Sequence, residues 1–179
     1  MSFLGRWRGR SHGPADGAFV RALDLSEVRA SYPHHPVCRF LDYWTSLADG
    51  TAPDRGRFSP AACRRVLPYL VVFDVEGDGE ARTLRYRLMG DEVRGLYGDY
   101  VAGKRIEEVL KDADLRERRD LLLATLDAGG ARFGLRRIPV EARAFQTVLY
   151  GLFPFSTDGG AGQIMLVVAP ESVEVHDQG

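Results

Sequence analysis

The spacing of apolar residues along this chain is first helical and then extended. The segment PVCRFLDYWTSLADG predicts a helix over residues 36–50, because Pro36 suits the first helical position and Gly50 suits the end. One stripe of this leading helix is apolar at α-helical intervals. It consists of Val37, Phe40, Leu41, Trp44 and Leu47. An apolar stripe of this kind is expected to pack against a surface outside the helix.

Five later segments have the patterns of β-strands. The first of them, YLVVFDVEG, is an unbroken apolar run, as expected of a strand that is covered on both faces. The second alternates apolar and polar residues, which places Leu84, Tyr86 and Leu88 on one face. The predicted strands span residues 69–76, 82–89, 131–141, 144–154 and 163–169.

Helical spacing returns between the second and third predicted strands. In RYRLMGDEVRGLYGDY the strand ends at Gly90, and short helical pieces interrupted by glycines follow. A longer helix is predicted over residues 113–128, and the Gly129–Gly130 pair ends it. This order of elements predicts an α+β domain with a five-stranded antiparallel sheet, helices on one face and an N-terminal helix.

The length of 179 residues fits one domain with some additional chain. Residues 1–35 are predicted to be a partly disordered N-terminal extension, because their first part is rich in Gly, Arg and Ser. Within it, the segment AFVRALDLSEVRASYP fits either a short strand or a loose helix. Residues 36–170 hold the predicted domain. Residues 171–179 are predicted to form a polar tail.

The net charge and the composition of the chain exclude some classes of function. The net charge of −1 provides no overall positive field that would attract nucleic acid or an acidic membrane. Two cysteines cannot form a disulfide framework and suit a reducing cytosol. No apolar stretch has the length of a signal peptide or a transmembrane helix. We therefore expect a cytoplasmic protein that neither binds nucleic acid nor inserts into a membrane.

The sequence contains no motif that predicts catalysis. A nucleophilic enzyme needs a base beside its nucleophile, and the histidines all lie outside the predicted strands and helices, at His12, His34, His35 and His176. Pro36 interrupts the helical spacing that would join His34 to Cys38 and Asp42, so we predict no metal site. Arginines such as Arg118 could supply an anion or nucleotide site, but acidic residues alternate with them, which favours a salt-bridged surface. The protein is therefore expected not to be an enzyme.

Several segments, taken in order, resemble the PAS domain superfamily, and most closely a bacterial subfamily of short stand-alone PAS-like proteins. The resemblance covers roughly residues 36 to 170 and rests on FLDYW, FSPAACRRVLPYLVVFDVE, RYRLMGDEVRGLYGDYVAGKRIEEVL and LYGLFPFS. It implies a regulatory sensor or protein-interaction module that acts on a partner in trans, with space for a small molecule between sheet and helices. The alternative is an enzyme or a carrier of flavin or another cofactor that uses the same cavity.

The resemblance also bears on cofactors. Haem-binding relatives use a histidine on or near the longer helix, and residues 104–130 contain none. Light-sensing flavin relatives use a cysteine on the short helices, and residues 90–110 contain none. Haem and covalent flavin chemistry are therefore not expected, and the identity of any other cofactor is left open.

Two sets of residues are candidates for binding. The space between sheet and helices has seven candidate lining residues, which could equally fill it as core: Tyr86, Leu96, Tyr97, Leu122, Phe133, Leu149 and Phe153. The apolar stripe of the leading helix is a candidate interface, formed by Phe40, Leu41, Trp44 and Leu47. Because symmetric pairs are the commonest oligomers, a homodimer is expected.

Overall fold

The structure, a computed structural model, describes residues 19–141, 144–160 and 162–176. Its strands are β1 (Phe19–Leu23), β2 (Leu70–Glu76), β3 (Thr83–Met89), β4 (Arg132–Glu141), β5 (Ala144–Phe155) and β6 (Gln163–Pro170). Its α-helices are α1 (Leu25–Ser31), α2 (Pro36–Leu47), α3 (Asp91–Tyr97), α4 (Ile106–Val109) and α5 (Asp112–Ala128). The strands form one antiparallel sheet in the order β1-β4-β5-β6-β2-β3.

The predicted α+β class is confirmed, and each of the five predicted strands is present within one residue of its expected bounds. The sheet has a sixth strand, however, because β1 pairs with β4 and places Leu23 opposite Phe133. Residues 19–31, which were assigned to an N-terminal extension, thus form a strand and a helix. The disorder predicted in that extension concerns residues 1–18, which lie outside the described residues.

Helix α2 covers one face of the sheet, here called the outer face. The rings of Phe40 and Phe153 lie 4.8 Å apart, and the indole Nε1 of Trp44 donates a hydrogen bond of 3.0 Å to the carbonyl oxygen of Pro154. Helices α3, α4 and α5 cover the opposite, inner face, where Leu122 and Ile106 are fully buried. The sheet is therefore buried on both sides, which explains the unbroken apolar run in β2.

Strand β3 contains an extra residue that changes which side chains reach the inner face. Val72 pairs with Leu88 and Phe73 pairs with Tyr86, so Arg87 bulges out of the ladder. As a result Leu88 is 44% exposed, and the partly buried Met89 packs with Tyr86 instead. The prediction that Leu88 lies on the same face as Tyr86 is therefore wrong, because the bulge changes the alternation of side chains along β3.

Gly90 connects β3 to α3 at a point where no other side chain fits. A Cβ atom at this position would lie 2.3 Å from the carbonyl oxygen of Pro68. The backbone N–H of Gly90 donates a 2.8 Å hydrogen bond to the carbonyl oxygen of Leu70. This close approach fixes where the chain leaves the sheet and begins to cross the inner face. Across the described ranges, no helix has the length and apolar character needed to cross a membrane.

Candidate functional site

A cavity of about 80 Å³ lies between the inner face and the short helices. Its floor is formed by the sheet residues Val71, Phe73 and Leu166. Its roof includes Val93 of α3 and Val101 of the following turn, both of which are buried. The site is thus an apolar space that opens between a rigid sheet and short helical segments.

The roof of the cavity is held to the edge of β3 by backbone hydrogen bonds. The N–H of Tyr86 donates to the carbonyl oxygen of Lys104 at 2.9 Å, and the N–H of Gly103 donates to the carbonyl oxygen of Tyr86 at 2.6 Å. Helix α3 ends at Gly98, whose φ of 84° lets the chain turn back toward β3. These contacts hold Val101 above the cavity.

Tyrosine side chains supply the polar groups inside the cavity. Tyr86 is 8% exposed, and its ring centroid lies 4.6 Å from that of Phe73. Burial raises the pKa of Tyr86 to about 12, so its hydroxyl is a donor at neutral pH. Tyr97, at the end of α3, also lines the space. No group within the described ranges hydrogen-bonds the Tyr86 hydroxyl.

Arg118 brings a positive charge to the same cavity from α5. It is half-buried and lines both the cavity and a small adjoining recess, which Arg136 and Tyr150 also border. Arg136 is 7% exposed and pairs with Glu117 at 2.5 Å. The pKa of Arg136 is lowered by burial and, next, by the charge of Arg118. Glu117 thus pairs with Arg136, and no described carboxylate forms an ion pair with Arg118.

The predicted lining residues lie in three places. Tyr86 and Tyr97 line the cavity, and Leu122 packs on the inner face in the same apolar cluster. Leu96 borders a separate depression beside Tyr69 and Pro170. The remaining candidates lie on the outer face among the residues that contact α2, and are Phe133, Leu149 and Phe153.

The placement of Leu149 and Phe153 on the outer face follows from strand geometry. Successive side chains of a strand point to opposite faces, and in β5 Tyr150 and Leu152 point inward. Leu149 and Phe153 therefore point outward. In the segment LYGLFPF both the odd-numbered and the even-numbered positions are apolar. Its sequence alone therefore does not show which set of side chains points to the inner face.

The candidate interface on α2 is covered by the protein's own sheet. Phe40 and Leu41 are fully buried, Trp44 is 9% exposed, and Leu47 packs partly buried against the same cluster. The stripe therefore completes the outer face and is not a free surface for a second subunit.

Arg118 is the site residue that sequence reasoning assigned to the surface. Its position carried a signal, because Arg118 follows Leu115 by three residues and precedes Leu122 by four, which places all three on one face of α5. A cationic side chain on an apolar face of a helix is a candidate for a buried or partly buried position. Among the side chains described, no three of His, Cys, Asp or Glu form a cluster suited to a metal ion.

Comparison with known families agrees with this architecture. The sequence model of the PAS domain matches residues 32–166. No curated protein matches the sequence. The match covers the leading helix, the short helices and nearly the whole sheet, and leaves β1 and α1 before it. The chain therefore belongs to the PAS domain family, and with it to a class of sensory or interaction modules.

Proposed function

We propose that the protein is a cytoplasmic, non-enzymatic sensor that binds a small molecule in the inner-face cavity and acts on a protein partner in trans. The cavity carries the proposal, because it combines apolar walls with Tyr86 and Arg118, whose polar side-chain atoms make no hydrogen bond to the described residues. Ligand sites are recognised by this combination, in which apolar walls surround a few convergent polar groups.

A packed core would be expected to satisfy such groups. Protein interiors contain few empty spaces, and buried tyrosine hydroxyls usually find a hydrogen-bond partner. The Tyr86 side chain is buried beside Phe73, and its hydroxyl makes no hydrogen bond to the described residues. A bound molecule with an acceptor atom would supply the missing hydrogen bond, which favours ligand binding over a purely structural core.

The roof of the cavity offers a route from the ligand to a partner. Helices α3 and α4 have 7 and 4 residues, and helices of this length are not stable alone. Their arrangement therefore depends on contacts with the inner face. Tyr100, next to the roof residue Val101, is 58% exposed. A ligand that shifts Val101 would change the surface presented by Tyr100.

The volume favours a small molecule over a large cofactor. An apolar cavity of about 150 Å³ binds benzene, and this one, at about 80 Å³, has roughly half that room. The three fused rings of a flavin would need several times this space and would displace α3. None of the described histidines lines the cavity, which favours binding over proton transfer.

The expected homodimer stays a prediction and needs a surface other than the α2 stripe. Phe40 and Leu41 are fully buried within one chain, so they are not accessible to a second copy. Light scattering on the intact chain at micromolar concentration measures whether the protein is a dimer.

Two substitutions at Val93 test whether the cavity binds ligand. Val93 is 1% exposed and lines the roof, so Val93→Phe should fill the space and Val93→Ala should enlarge it. We expect the wild type and Val93→Ala to release a small molecule detected by mass spectrometry, or to gain thermal stability with a panel of small metabolites. Val93→Phe, with folding verified by circular dichroism, should do neither. Equal binding by Val93→Phe, or no binding by the wild type, would overturn the proposal.

A further inference from the structure

The charged residues around the cavity differ in their partners. Among the described residues, Asp99 and Arg118 are the charged ones that line it. Asp99 interacts with another group of the protein. Arg118 has no hydrogen-bond acceptor or carboxylate within bonding distance among residues 19–141, 144–160 and 162–176. A half-buried guanidinium without a counter-charge is costly, since burial weakens its hydration.

The nearest described charges on the same side of the sheet do not pair with Arg118. Glu117 pairs with Arg136 at 2.5 Å and so neutralises that guanidinium. Arg118 lies close enough to lower the pKa of Arg136 by repulsion. Its charge also acts to lower the pKa of Tyr86 and Tyr150, against the larger effect of burial, which raises both. Among the described residues, Arg118 therefore stays without a direct ion pair at the recess, beside a cavity that Asp99 also lines.

Two tyrosines line the same cavity as Arg118. Tyr86 and Tyr97 line the cavity, and Tyr86 stays protonated at neutral pH. Each can donate an O–H to an acceptor inside the cavity. An arginine fork together with tyrosine hydroxyls provides charge-assisted hydrogen bonds to a carboxylate.

The rest of the cavity favours a short apolar chain. Val71, Phe73 and Leu166 form a floor without charge. With a volume of about 80 Å³, roughly half that of a cavity that accepts benzene, the space fits about three to five carbon atoms. We propose that the ligand is a short-chain aliphatic monocarboxylate whose carboxylate binds Arg118 and the tyrosine hydroxyls. This inference rests on the proposed sensory function and specifies its ligand.

Butyrate and its uncharged analogues test the inference by titration calorimetry at constant ionic strength. We expect butyrate to bind at least 10-fold more tightly than butyramide or 1-butanol, because only the carboxylate gains the charge of Arg118. Arg118→Gln should weaken butyrate binding at least 10-fold and leave 1-butanol binding unchanged, whereas Arg118→Lys should retain part of the affinity. Arg116→Gln removes an exposed arginine of the same helix and should bind like the wild type.

The outcomes separate this inference from the proposed function. If 1-butanol and butyrate bind equally, and Val93→Phe abolishes both, the cavity binds ligands but the carboxylate inference is wrong. Equal loss of butyrate affinity in Arg116→Gln and Arg118→Gln would also overturn it, because it would indicate a general effect of charge. If no probe binds the wild type, both the ligand class and the cavity-based function are wrong.

Discussion

His35 links the start of α2 to the end of β6. Its ring Nε2 lies 3.1 Å from the carbonyl oxygen of Pro170, and its Nδ1 accepts a 3.1 Å hydrogen bond from the backbone N–H of Val37. The ring is thus both the N-cap of the helix and its attachment to the sheet. Both contacts together need a neutral imidazole with the proton on Nε2.

This arrangement predicts that the protein loses stability in mild acid. Burial lowers the pKa of His35 from 6.5 to about 4. The unfolded chain therefore takes up a proton at higher pH than the folded one, so the contribution is complete above pH 6.5 and declines as pH falls toward 4. Between pH 7.5 and 5 we expect a loss of about 2 kcal/mol in the free energy of unfolding, measured by urea titration.

His35→Asn is the matched variant, because asparagine also caps helices but does not titrate. We expect a smaller dependence of its stability on pH over the same range. His176→Asn changes an exposed histidine and serves as the control. An identical pH dependence in His35→Asn and the wild type would contradict the assignment of the effect to His35.

Trp44 should be a major contributor to stability. Its ring packs 6.2 Å from that of Phe153, and its Nε1 hydrogen-bonds Pro154. We expect Trp44→Ala to reduce the free energy of unfolding by about 3–5 kcal/mol, because it leaves a void between α2 and the outer face. Tyr100→Ala, at an exposed position, should change it by less than about 0.5 kcal/mol. Chemical denaturation midpoints that do not differ between the two variants would contradict this.

Two glycines close together in sequence should respond oppositely to alanine. At Gly90 a Cβ would lie 2.3 Å from the carbonyl oxygen of Pro68, so Gly90→Ala should destabilise the protein by about 1–3 kcal/mol. At Gly95, within α3, a Cβ meets open space, so Gly95→Ala should stabilise it by about 0.5–1 kcal/mol. Thermal unfolding of both variants measures the signs, and equal signs would refute the explanation.

Removal of the unpaired cation should stabilise the protein without ligand. Arg118 is half-buried near Arg136, and their charges repel. We therefore expect Arg118→Gln to raise the free energy of unfolding by about 0.5–1 kcal/mol, as often occurs when a residue serves binding more than stability. A decrease that Arg116→Gln does not share would indicate that Arg118 has a structural role instead.

Much of the fold was predictable because its signals are local. The α2 stripe, the branched apolar run of β2 and the glycine pair after α5 each determine an element within a few residues. Strand β1 gave a weaker signal, since FVRAL is five residues long and its pairing with β4 joins distant parts of the chain. The bulge at Arg87 likewise depends on the partner strand, so alternation alone misplaced Leu88.

The site was less predictable than the fold. Tyr86 and Tyr97 were identified, but Leu149 and Phe153 were assigned to the same space although they lie on the opposite face. In a sheet that is buried on both sides, hydrophobicity does not identify the face, and only the register does. Arg118 was assigned to a salt-bridged surface, because acidic residues alternate with the arginines of that segment.

The hydrogen bonds between Tyr86 and the turn at Gly103 and Lys104 have a further consequence. Strand β3 is at one edge of the sheet, and exposed edges are templates for pairing with other chains and for fibril growth. The turn occupies the backbone groups of Tyr86 on that edge. Because the same turn forms the roof of the cavity, its displacement would open the cavity and unmask a strand edge together. Displacement of this turn would therefore carry a risk of aggregation.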